Sequence, residues 1–132
     1  IDIRISLEKL AVRKCIERAT DEDIATISNS LDLFEKALQQ KDYDACNKLD
    51  GEFHSLIAQM SKNNRLMSLL NDFSVFFQLV RSDEKRSHTQ KKNIFTLKEH
   101  RRIAKAIKNR DISAAKEAVE ANIQTMRTNL LN

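Results

Sequence analysis

The chain has 132 residues, with 41% hydrophobic and 32% charged residues, one Gly and no Pro. That length supports one domain with a real core, and the balance excludes a disordered tail. No apolar run reaches the ~18–20 residues that cross a bilayer, and the scarcity of Gly and Pro excludes the many turns of a β-rich fold, leaving an all-α reading.

In chain order, the spacing predicts a first helix over Asp2 to Ala19, with Ile3, Leu7, Leu10, Ala11 and Ile16 as its apolar stripe. Thr20 is placed to cap a second helix ending near Gln39, with Asp21, Glu22 and Asp23 at its positive end. Asp42 is placed to cap a third, Tyr43 to Met60, and Ser61-Lys62-Asn63-Asn64 breaks the pattern. A fourth is expected from Arg65 to Arg86, with Leu66, Leu69, Leu70, Phe73, Phe76, Phe77 and Val80 as core. Residues 87–95 read as a loop. Thr96 and Glu99 read as a capping box that opens a helix to Asn109, and Asp111 reads as the cap of a last helix to Leu130. Six or seven helices with short links imply an antiparallel bundle.

The net charge is +4, and its excess is local: residues 81–110 hold eleven cations against three acids. Such a stretch could attract nucleic acid, but Arg101, Lys105 and Lys108 lie opposite Ile103, Ala106 and Ile107, as on a solvated helix face, and no aromatic residues interleave for base stacking. Cys15 and Cys46 stand alone, as small core thiols do in a reducing compartment, so a cytoplasmic location is expected. The start at Ile1, already in helical register, suggests a piece of a longer or processed protein.

Asp50 and His54 lie four residues apart, one helical turn, on a face beside Leu49, Phe53, Leu56, Ile57 and Met60. Burying them calls for pairing or a metal, and an Asp–His hydrogen bond is the plainer alternative. His100 lies ten residues before Arg110, and Asn122 eleven after Asp111. An antiparallel hairpin turning there brings the two level, so Asp50, His54, His100 and Asn122 could converge on one point. His88 reads as solvated, Glu99 as the cap's acid, Met60, Met67 and Met126 as gap-filling core, and the phenylalanines as core or cavity wall.

Arg4-Ile5-Ser6-Leu7-Glu8, Leu49-Asp50-Gly51-Glu52-Phe53-His54, Glu99-His100 with Ile103 and Ala106-Ile107, then Asp111 with Ala114-Ala115 resemble the FCD (FadR C-terminal) domain of GntR-type bacterial transcription regulators. The resemblance spans nearly all of residues 1–132. It implies a six- or seven-helix bundle around a cavity, which binds an effector and forms a homodimer. It also implies a divalent metal, often zinc with nickel or another ion possible, held by one Asp and three His, and an Arg of the first helix on the effector's carboxylate. Asp50, His54 and His100 match three ligands; the fourth position is Asn122, a weaker zinc donor that could instead contact the effector. Arg4 matches the effector anchor, with an Arg4–Glu8 helix pair as the alternative. The effector expected is a small carboxylate or sugar acid. Operator DNA would be reached only through an N-terminal winged-helix domain absent from this chain, and no membrane partner is expected. The competing readings are a metal-dependent hydrolase or lyase using the same Asp/His site, though no general base or activated nucleophile is evident, and a metal-free helical interaction module.

Overall fold

A computed structural model describes residues 2–83 and 90–131, with the side chains of 74, 76–83 and 127–131 outside the description. Among the described residues there are six helices: α1 Asp2–Arg18, α2 Asp21–Gln39, α3 Tyr43–Met60, α4 Asn64–Asp83, α5 Gln90–Lys108 and α6 Ile112–Leu131. None of them is long and apolar enough to cross a membrane.

Local chemistry sets the links. Thr20 Oγ1 accepts from the Asp23 amide and the Asp23 carboxylate returns the bond to the Thr20 amide, a complete capping box at the start of α2. The α2–α3 and α5–α6 turns share one solution. Lys41 and Arg110 adopt left-handed φ of 56° and 53°, and the amides of Asp42 and Asp111 reach back to Ala37 O and Ala106 O. That is the Schellman closure, made here without glycine. The same two aspartates then cap the following helices, each Oδ1 accepting from the amide three residues on. One residue ends a helix's closing motif and begins the next helix, so the neighbours must run antiparallel.

α3 sits at the centre and packs against α1, α2, α4 and α5; α1 and α5 both pack on α6. The core is built from Val12, Phe34, Phe53, Ile103, Ile107 and Ile123, all nearly inaccessible. Burying each large side chain contributes about 1.5–3 kcal/mol.

Three sequence expectations are corrected. α5 begins at Gln90, so Gln90 to Phe95 are helical and Thr96 lies mid-helix, where it opens no capping box. The signal inverts there because Asn93 faces inward while Ile94 and Phe95 are half exposed. The inward stripe is Asn93, Leu97, His100, Ala104 and Ile107. In α1, Ile3 is exposed and the buried face carries Arg4 and Glu8 instead, charges that neutralise each other. In α4, Leu66 and Leu70 are buried but Leu69 faces out. Phe76, Phe77, Val80 and His88 lie outside the described side chains.

Candidate metal centre

Helical periodicity places Asp50 and His54 on the inner face of α3, and Phe53 between them fills the core. His100 reaches the same spot from α5 and is wholly buried. It lies eleven residues into its helix, not in the first turn as the capping box had implied. Its ring stacks on Phe53 with centroids 4.3 Å apart and planes 24° apart. The Phe34 ring meets it edge-on at 6.1 Å. A stacked ring on one side and an edge-on ring on another hold the imidazole in one orientation.

Asp50 Oδ1 is 3.0 Å from His100 Nε2 and 3.8 Å from His54 Nε2. One ligand atom from each of the three residues lies within 4.8 Å of the others. Donors bound ~2.1 Å from one ion stand roughly 3–4 Å apart; the two distances to Asp50 fall in that range, and the three residues could together hold a divalent cation. One carboxylate and two imidazoles are the donor types that zinc, nickel and similar ions take. His54 Nε2 is buried and has no hydrogen-bond partner among the described residues.

Behind His54, its Nδ1 lies 2.9 Å from Glu8 Oε2, and Arg4 Nη2 lies 3.5 Å from the same oxygen. Burial opposes ionisation of Glu8, yet His54 and Arg4 outweigh it and hold the carboxyl below its usual value. Burial likewise pulls the Arg4 guanidinium down, against the pull of Glu8. Arg4 Nη1 donates to the Met126 thioether at 3.1 Å. The Arg4–Glu8 pair is therefore present, with Glu8 against His54 and Arg4 on Glu8.

Asn122 is buried in α6 and donates Nδ2 to Glu99 Oε1 at 2.9 Å. Thr125 Oγ1 donates to the other Glu99 oxygen at 2.8 Å. Glu99 is thus a cross-helix acceptor rather than a helix cap. Asn122 Oδ1 is buried and lacks a hydrogen-bond partner among the described residues. The residues that sequence reasoning undervalued are Glu8, read only as a partner for Arg4, and Phe53, read only as core. The i,i+4 step from Asp50 to His54 gave no hint that a third helix would supply an acid behind the imidazole.

Residues 1–125 match the family model of the FCD domain. The chain belongs to the FCD domain family. This FCD domain is 34% identical over 125 residues to the uncharacterized HTH-type transcriptional regulator YdhC of Bacillus subtilis (strain 168), a match covering 91% of the chain and 53% of that protein. The chain therefore spans about half the length of that relative. Among solved structures it superimposes on E. coli McbR/YncC with a TM-score of 0.89 at 18% identity, covering 98% of this chain and 65% of that one. Streptococcus agalactiae GntR matches with a TM-score of 0.81 at 27% identity, over 96% of this chain and 55% of that one. The first of these likenesses speaks for the fold alone. The all-α architecture of this chain matches the portions of these neighbours that it covers.

Proposed function

We propose that this FCD domain is the ligand-sensing part of a GntR-type transcription regulator. It would bind a small carboxylate or sugar acid at a metal centre and adjust DNA binding by an attached winged-helix domain. The observation that carries the reading is the buried meeting of Asp50, His54 and His100 in a chain of this family. The Bacillus subtilis relative named as a transcriptional regulator supports the same role, which goes with a cytoplasmic location.

In this reading Asp50, His54 and His100 hold a divalent ion, zinc first and nickel or another ion next, with the Asn122 oxygen as a weak fourth donor or a contact to the effector. The ion, when bound, supplies Lewis-acid positions for an effector carboxylate. Arg4 is the anchor for that carboxylate. Its Nη1 rests on a thioether, a weak acceptor, and a carboxylate offers a much stronger bond to the same nitrogen. Phe53 and Phe34 keep the His100 ring fixed, so the site is formed before the effector arrives. Binding would select one packing of α1, α3, α5 and α6, and a homodimer would pass that bias to the spacing of two DNA-binding domains.

The test is a thermal-shift screen of small carboxylates and sugar acids, with zinc and with chelator. A ligand that binds the folded state raises the Tm. An acid that does so only in the zinc-loaded sample, without being converted to product, is the expected result. No acid active in either sample, or turnover of the acid, contradicts the sensor reading.

A further inference from the structure

His54 can offer a metal only one nitrogen, and which one depends on where its proton resides. Its Nδ1 lies 2.9 Å from Glu8 Oε2, with both residues buried. At that distance two lone pairs would repel, so Nδ1 carries a proton toward the carboxylate, and in the neutral ring that binds a metal the lone pair is then on Nε2. Nε2 is the nitrogen on the Asp50 side, 3.8 Å from Oδ1. Glu8 is itself held from behind by Arg4, 3.5 Å from the same oxygen and one helical turn earlier in α1.

We infer that Glu8 is a positioning residue for the metal centre: from α1 it fixes the tautomer and ring orientation of His54 on α3, so that Nε2 faces Asp50 and His100. This rests on the metal reading above and adds to it a residue outside the ligand set. The arrangement has a direct consequence for Arg4. A carboxylate drawn onto Arg4 competes with Glu8 for the guanidinium, and Glu8 in turn holds a ligand. Arg4, Glu8 and His54 thus form a physical link between an effector anchor and the metal. Acceptors placed behind metal-bound imidazoles raise their basicity, and losing one weakens metal affinity about 10–100-fold.

Two measurements test this. Nitrogen-15 NMR of the imidazoles in the metal-free chain reads the His54 tautomer, and Co²⁺ titration of the same chain reads affinity. The expected results are an Nδ1-protonated His54 in the wild type, and Co²⁺ affinity about 10–100-fold weaker in Glu8→Gln with unchanged helical content. Should Glu8→Gln fail to fold because Arg4 is left as a buried unbalanced charge, Arg4→Met combined with Glu8→Gln removes that charge and is expected to show the same loss. An Nε2-protonated His54, or a folded variant with wild-type Co²⁺ affinity, overturns the role of Glu8. A wild type with an Nδ1-protonated His54 that takes up no Co²⁺ overturns the metal reading and this role with it.

Discussion

Asn122 gives its amide Nδ2 to Glu99 Oε1 at 2.9 Å, which turns the carboxamide oxygen away from that carboxylate. A carboxylate accepts and cannot donate, so the pairing fixes which end of the amide is which. Glu99 would accept an imidazole N–H equally well. The Asn122→His variant is therefore expected to bind zinc about tenfold tighter or more, since imidazole nitrogen is the better zinc donor. Chelator competition measures it, and unchanged affinity would mean that position 122 does not face the ion.

Phe53 is fully buried and covers the face of the His100 ring. Phe53→Ala opens a cavity at the bundle centre and is expected to cost about 3–5 kcal/mol in urea denaturation. It should also weaken zinc binding, because the imidazole loses the surface that orients it. A loss below about 1 kcal/mol would show that the neighbouring core collapses around the gap.

Much of this fold could be read from residue order. Thr20, Asp42 and Asp111 announce three helix starts because their side chains bond amides only three residues away. The entry to α5 could not be read in that way. Its inward face begins with Asn93, a polar residue buried by its neighbours, while apolar Ile94 and Phe95 are left half exposed. At the site, the Asp50–His54 step is local and legible; hairpin arithmetic sets Asn122 level with His100, and the partner it takes is the adjacent Glu99. The Glu8–His54 contact joins α1 to α3, and spacing along one helix carries no information about it.

Arg110 links the α5–α6 turn to the end of α1. Its guanidinium donates to Ile16 O at 2.6 Å and Ala19 O at 2.9 Å, with Asp21 Oδ1 at 3.3 Å. These carbonyls lie at a helix C-terminus, where a cation is favoured. Arg110→Ala is expected to lower stability by about 1–2 kcal/mol, the side chain being partly exposed. Arg110→Lys should recover little of this, because an ammonium lacks the fork. Thermal melts of the two variants decide, and an unshifted Tm for Arg110→Ala would contradict the assignment.

Cys15 is wholly inaccessible, and burial pushes its thiol up to about 11, aided by Asp23. The folded chain thus keeps a proton that the unfolded chain gives up at the ordinary thiol value near 9.0. Stability is therefore expected to fall as pH rises from there toward about 11. Denaturant titrations across that range should show the decline, and Cys15→Ala should flatten it. Equal slopes in both chains would assign the effect elsewhere.

Calorimetric titration of zinc into the metal-free chain, beside His54→Ala and His100→Ala, tests the metal centre most directly. The expected result is one ion per chain in the wild type, at least a tenfold loss of affinity in each variant, and unaltered helical content. No uptake by the wild type, or equal uptake in all three, would contradict it and leave Asp50, His54 and His100 as a buried hydrogen-bonding cluster.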